Sequence, residues 1–383
     1  MHTTNLSDRG QTELDILLDE AVEQYDVRGV VAEVANRDRT IYRGAFGTRD
    51  ELRAFDMPAD AIFQIKSMTK PITSVAVMIL KDQGVIDLDD PVARYLPDIK
   101  NAKIISDFDE ADGSFTTRPG GHDITLRHLL THTAGFGYNF SSHILSKLGD
   151  RLPAASVLLH EPGSQWTYGS STYVLGKVIE QVSGEPLDAF FETYIFKPLG
   201  MKDTGFDLKQ NDYDRFAALF KRVHGRLVWV QLPETYQPQV FGDQGLLSTA
   251  DDYIRFLRML LNLGRFEGET LVTEQSVEEM TRNQIGSLTV EEQPGAIPWL
   301  SNSFPLGAGK DKFGLGFRLK EGMEVDARSP GSGSWAGLYN THFWIDPKQG
   351  IATVLLMQVL PFYDDRCIRL LTNVEKSIYR NLE

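Results

Sequence analysis

The chain has 383 residues, 42% of them hydrophobic and 24% charged, the balance of an ordinary globular protein long enough for a sizeable core. A formal net charge of -14, with no run of lysine or arginine, argues against nucleic acid as a partner, because phosphate binding needs a basic patch. The single cysteine, Cys367, excludes an intrachain disulfide and suits a reducing compartment.

The first residues lack a basic region followed by an apolar core, so no secretory signal is expected. No apolar run approaches the roughly 20 residues of a membrane span. A cytoplasmic location without membrane contact is the expectation.

Residues 11–25 read as an amphipathic helix with Leu14, Leu17, Ala21 and Tyr25 on one side. Strands at 29–34 and 40–45 follow, joined by a polar turn at 36–39. Residues 61–65 lead extended chain into Lys66-Ser67-Met68-Thr69-Lys70-Pro71, which opens a helix carrying Ile72, Val75, Ala76, Ile79 and Leu80. Pro71 falls in the first turn, where its missing N–H costs least. Gly84 stops this helix, and Leu88 to Pro91 read as a cap before 92–96. Residues 100–123 are expected to be a solvated loop. Their acidic residues Asp107, Asp109, Glu110 and Asp112 lack the glutamate-terminated pattern of a calcium loop.

Thr125 caps a helix over 125–133 in which His128 and His132 have the i, i+4 spacing of a metal pair. Leu129 stands where a zinc hydrolase would carry glutamate and no third ligand is evident, so structural histidines and no metal are expected. The stretch 134–140 combines glycines with Phe136, Tyr138 and Phe140, either core filler or the wall of an apolar pocket. A turn cluster at 161–166 delivers Tyr168-Gly169-Ser170 to a helix over 173–182, which Gly184 ends before a further helix at 187–196. A strand at 227–230, a loop at 242–249 and a long helix at 250–263 come next. The loop 293–312, with Trp299 and Phe304, has the length of a functional loop.

Strands at 314–319, 338–345 and 351–357 and a helix at 370–382 close the chain. Strands near both ends with helices between predict an α+β fold with one antiparallel sheet built from both ends. The expected division is a single unit of two lobes, 1–66 with 309–383 as the sheet lobe and 67–308 as a mostly helical lobe.

Ser67 and Lys70 carry the clearest chemistry. Three residues apart on a helix, they share a face, so the amine comes within reach of the hydroxyl. A serine nucleophile needs such a base, and at a helix start its own N–H is free to bind an oxyanion. No other serine here has lysine at that spacing. A third group that shares the proton would help a lysine act as a base. Tyr168, on a turn at a helix start, is the best candidate, the alternative being a buried tyrosine packed beside Trp166.

Ser67-Met68-Thr69-Lys70, then Leu129 to Gly135, then Glu161-Pro162-Gly163 before Tyr168-Gly169-Ser170, then Gly242 to Thr249 resemble the class C β-lactamase and penicillin-binding-protein-like serine hydrolases. The resemblance spans roughly residue 10 to the end and implies a β-lactamase/transpeptidase-like fold. Ser170 replaces the asparagine of the family's second motif. The third motif falls at Ser334-Trp335-Ala336-Gly337-Leu338, at the start of a predicted strand, with Trp335 where antibiotic-handling members carry lysine or histidine. That form is similar to the esterase branch, the family VIII carboxylesterases.

The resemblance implies that Ser67 is the acylated nucleophile, Lys70 and Tyr168 handle the proton, and the backbone N–H groups of Ser67 and Leu338 form the oxyanion hole. It places Tyr138, Ser170, Trp335, Ala336 and Gly337 at the substrate. Which of Lys70 and Tyr168 is the acylation base stays open. The expected activity is hydrolysis of small to medium uncharged acyl esters, with a small-molecule ester as partner and no cofactor. The alternatives are a β-lactamase, a D-amino-acid peptidase or amidase, or an acyltransferase using the same site, and a non-catalytic binding protein on the same scaffold. No Gly-x-Ser-x-Gly elbow offers another serine site.

Overall fold

A seven-stranded sheet gathers both ends of the chain. In spatial order its strands are Lys312–Phe313, Arg318–Leu319, Gly333–Gly337, Thr341–Asp346, Ile351–Leu356, Gly29–Asn36 and Thr40–Gly47. Every neighbouring pair is antiparallel, and Val31 opposite Leu356 marks the seam between the two ends. The computed structural model describes residues 4–52, 54–149, 155–231, 235–305 and 307–383.

Helices cover both faces of this sheet. Asp8–Glu23 and Asp365–Arg380 pack on one face through Leu14, Leu18, Ala21, Leu370, Val374 and Ile378. The helices Ala250–Leu261 and Thr69–Asp82 belong to the larger core on the other. Gly29–Asn36 is buried along its whole length, which is why it reads as a continuous valine-rich run rather than an alternating one. Each fully buried Val, Leu or Ile contributes about 1.5–3 kcal/mol relative to exposure. Among the described residues no helix is long and apolar enough to cross a membrane.

Several expectations are corrected. The first helix buries Leu14, Leu18 and Ala21, whereas Leu17 is half-buried and Tyr25 lies exposed beyond the helix end at φ +58. The i, i+4, i+7 row won over the i+3 row. The supposed loop at 100–123 holds a hairpin, Lys103–Phe108 with Phe115–Pro119, extended by Val157–Leu158. Its polar exposed side hid it, but Ile104 and Ile105 anchor it inward. The carboxylates of Asp109 and Asp112 accept backbone N–H groups of Ala111 and Ser114 in the tip.

Of the predicted strand 314–319 only Arg318–Leu319 forms, pairing back on Lys312–Phe313, because the N–H groups of Leu315 and Gly316 turn aside to the carbonyls of Met280 and Leu130. The predicted strand 338–345 also starts elsewhere. Gly333–Gly337 is a strand of its own, Leu338 lies in the turn, and Thr341–Asp346 returns antiparallel. Asn340, at φ +60, holds that turn by donating from Nδ2 to the carbonyls of Val359 at 2.8 Å and Pro361 at 2.9 Å.

Candidate active site

Ser67 sits on a single 3-10 turn, Lys66–Met68, that runs directly into the helix Thr69–Asp82. The turn keeps the expected neighbours together: Lys70 Nζ donates to Ser67 Oγ at 3.1 Å. Lys70 is only 2% exposed, and a buried amine needs partners. It also donates to the carbonyl of Asp243 at 2.9 Å and lies 5.1 and 4.9 Å from the ring centres of Tyr138 and Tyr168.

The loop that presents Asp243 is itself fixed to the lysine helix. Thr73 Oγ1 donates to the carbonyl of Gly242 at 2.5 Å, and the N–H of Leu246 donates to Thr69 Oγ1 at 3.3 Å. The Asp243 carboxylate in turn accepts the hydroxyl of Tyr138. Burial first, then the Asp243 charge, pushes the Tyr138 phenol well above its ordinary range. Of the three aromatic residues in 134–140, Phe136 is core, while Tyr138, whose ring faces Lys70, stacks at 5.0 Å on Phe140, which lines the cavity that contains Ser67.

Tyr168 lies in the turn before the helix Ser171–Ser183. The turn packs so closely on the Phe136 backbone that a Cβ at Gly169 would stand 2.0 Å from the Phe136 carbonyl oxygen. Gly169→Ala is therefore expected to destabilise the protein by about 3 kcal/mol through overpacking, read as a lower urea midpoint. An unchanged midpoint would show that the backbone yields there. Tyr168 is 4% exposed, its ring is 4.9 Å from that of Trp335, and its hydroxyl accepts from Trp335 Nε1 at 3.4 Å.

The two histidines part company. His128 Nδ1 accepts the N–H of Thr125 at 3.2 Å in a capping box of the helix Leu126–Leu130. His132 lies past that helix at φ +56, with its ring 5.0 Å from Tyr168. Burial, and secondarily the charge of Lys70, hold its pKa well below the usual imidazole value, so it is neutral. Among the described residues no group of three or more His, Cys, Asp or Glu side chains is placed to hold a metal ion.

The strand Gly333–Gly337 abuts the serine turn. A Cβ at Gly337 would lie 2.3 Å from the carbonyl oxygen of Ile65, and Thr341 Oγ1 donates to the same carbonyl at 3.3 Å. Lys66, at φ +46, adds a further tie by holding Nζ 4.8 Å from the Tyr339 ring centre. Burial pushes that amine down to about 8.

Ser67, Tyr168, Trp335, Ala336, Gly337 and Leu338 line one narrow cavity of about 50 Å³, walled by Phe140, Val290, Phe304 and Phe362. Tyr138 and Ser170 do not line it. They face a neighbouring cavity of about 360 Å³ with Asp243, Tyr173 and Phe241, where Ser170 Oγ has no hydrogen-bond partner among the described residues. Sequence reasoning missed Asp243 and Lys66. Both lay inside motifs already noted, but a backbone carbonyl leaves no residue-type signature and a lysine beside a serine carries no spacing rule.

The sheet, the covering helices and the gathered Ser67, Lys70 and Tyr168 define a β-lactamase/transpeptidase-like fold with a polar cluster at the end of one strand. The chain belongs to the beta-lactamase family, whose model matches residues 14–375. It is 30% identical over 369 residues to monacolin J acid methylbutanoyltransferase of Aspergillus terreus, covering 88% of each chain. It is 28% identical over 384 residues to esterase EstB of Burkholderia gladioli, covering 90% of this chain and 89% of that one. The unliganded, selenomethionyl structure of simvastatin synthase (LovD) from Aspergillus terreus superposes with a TM-score of 0.83 at 26% identity, over 97% of this chain and 98% of the other.

Proposed function

We propose that the protein is a serine carboxylesterase of the family VIII type, cleaving small to medium uncharged acyl esters through an acyl-enzyme on Ser67. The observation that carries this reading is Trp335, which puts an indole on the Tyr168 hydroxyl where a cation would recruit a carboxylate. The similarity to EstB supports it.

In this mechanism Ser67 Oγ attacks the ester carbonyl and the new Oγ–C bond forms. The serine proton enters the Lys70–Tyr168 pair, which passes it to the departing alkoxide as the C–O bond to the alcohol breaks. The N–H groups of Ser67 and Leu338 stabilise the oxyanion. Water then repeats the sequence on the acyl-enzyme and frees the acid. The test is p-nitrophenyl acetate and butyrate beside a chromogenic cephalosporin. A burst with the esters and a higher kcat/KM for them is expected, and preference for the cephalosporin would overturn the reading.

Trp335→Lys supplies a second check. A restored cation should raise the cephalosporin-to-ester ratio of kcat/KM at least tenfold, about 1.4 kcal/mol of differential binding. An unchanged ratio would remove Trp335 from the argument.

Transfer of the acyl group to an alcohol is a second reading. The cavity of about 360 Å³ beside Asp243 and Ser170 favours it, as room for an acceptor alcohol. The transferase relative points the same way. Partitioning of the acyl-enzyme between water and added alcohol, read as the ratio of acid to new ester, decides between them.

A further inference from the structure

The strand Gly333–Gly337 is covered unequally on its two sides. Thr341–Asp346 pairs with all of it, but Arg318–Leu319 pairs only with Gly333 and Ser334. Among the described residues, Trp335, Ala336 and Gly337 have no strand on that second side. The cavity that contains Ser67 passes this open edge and reaches the face of the strand that carries Ser334 and Ala336, because it is also lined by those two residues, by Arg318 and by His342, which lies opposite Ala336 on the paired strand. Ser334 is three residues from Gly337, which at ~3.3 Å per residue puts the Arg318 end about 10 Å from the serine end.

That far end is polar and incompletely satisfied. Arg318 is 5% exposed and His342 4%. Arg318 donates from Nε and Nη2 to Ser334 Oγ at 3.3 and 3.1 Å, and its Nε lies 3.5 Å from the Asp311 carboxylate. Its Nη1 has no hydrogen-bond partner among the described residues, and neither has Nε2 of His342. Two buried polar atoms on one cavity, both without partners, call for an occupant.

The charges say which kind. Asp311 faces Arg318, and Glu375 is paired with the adjacent Arg328 at 2.6 Å, so neither arginine here lacks a carboxylate. An incoming carboxylate would be desolvated beside Asp311, whereas a neutral oxygen accepts the free N–H without bringing charge.

Resting on the esterase reading, we infer that the open edge of Gly333–Gly337 is the acyl channel and that Arg318 and His342 select acyl chains carrying a neutral hydrogen-bond acceptor, a ketone or hydroxyl oxygen. The channel length sets the position. The strand rise of about 10 Å from Gly337, beside the serine turn, to Ser334, which holds the guanidinium, less one hydrogen bond, places that oxygen roughly five or six carbons along the chain. If ordered water alone occupied the end, it would satisfy the same atoms and give no preference for such chains.

The experiment compares three p-nitrophenyl esters of similar length on the whole protein: hexanoate, 5-oxohexanoate and the adipate monoester. The 5-oxohexanoate is expected to exceed hexanoate in kcat/KM by about 10- to 100-fold, the worth of one hydrogen bond to a charged donor. The adipate monoester should fall below hexanoate. In Arg318→Met the ratio of 5-oxohexanoate to hexanoate should fall to about one. A wild-type ratio of one or less overturns the inference, as does a ranking led by adipate or a ratio that survives Arg318→Met. The wild-type ranking stands even where that variant does not fold. A Ser67-dependent burst with equal rates defeats only the selection by Arg318. Turnover that survives in Ser67→Ala defeats the esterase reading and this inference with it.

Discussion

Ser67→Ala is expected to lower ester turnover about 10⁴-fold or more and to remove the burst. Among the described residues the serine supplies the only hydroxyl to which Lys70 Nζ donates a hydrogen bond, and without it no acyl-enzyme forms. Lys70→Met should cost a similar factor, and the double variant little more than either alone, because the pair acts as one unit. The fold should survive Ser67→Ala. Lys70 keeps its bond to the Asp243 carbonyl at 2.9 Å, so the melting temperature should stay within a few degrees of the parent's. Intact-mass labelling with a fluorophosphonate supplies the readout. Labelling or turnover in Ser67→Ala would rule this serine out.

Acid should weaken the protein through Glu375. Its carboxylate accepts from Arg328 Nη2 at 2.6 Å, from Nε at 2.9 Å and from the Arg328 N–H at 3.0 Å. Burial alone would raise the pKa of Glu375, but the Arg328 charge and these bonds outweigh it and hold it at about 2, against 4.5 when free. A depressed carboxylate stabilises the fold above its unfolded value, so this contribution is complete above pH 4.5 and is lost as pH falls through 2. The shift corresponds to about 3 kcal/mol. Arg328→Met, which leaves the carboxylate buried without its cation, is expected to cost about 3–5 kcal/mol at neutral pH. Urea midpoints from pH 5 down to 2 test both points. A variant as stable as the parent, or a parent midpoint flat with pH, would contradict the pairing.

How much of this was legible in the sequence depended on which atoms carry each contact. The central strands were readable because burial on both faces demands an apolar run, as in Gly29–Asn36. The hairpin Lys103–Phe108 with Phe115–Pro119 was not, because it is held by two buried isoleucines among charged neighbours. The Ser67–Lys70 contact was readable from spacing alone. It survives although Ser67 stands on a 3-10 turn rather than in the helix, since a serine one turn before Lys70 stays within reach of it in either geometry.

Tyr168 and Trp335 needed the family resemblance, because nothing local separates them from other buried aromatics. Arg318 escaped notice. It fell within a segment read as one continuous strand, and its significance depends on where the pairing with Gly333 and Ser334 stops. Pairing partners are a property of the fold, and no single segment announces them.

The contact of Thr341 Oγ1 with the Ile65 carbonyl joins groups 276 positions apart. On the esterase reading it means that the anion pocket is assembled across the full span of the chain. A nascent polypeptide that already carries Ser67, Lys70 and Tyr168 still lacks Leu338, and it cannot hydrolyse anything until the final hairpin has docked on the N-terminal strands. Contacts this distant in sequence form slowly. Appearance of esterase activity during refolding would therefore report closure of the sheet, and a partly folded chain would be inert toward any ester it meets.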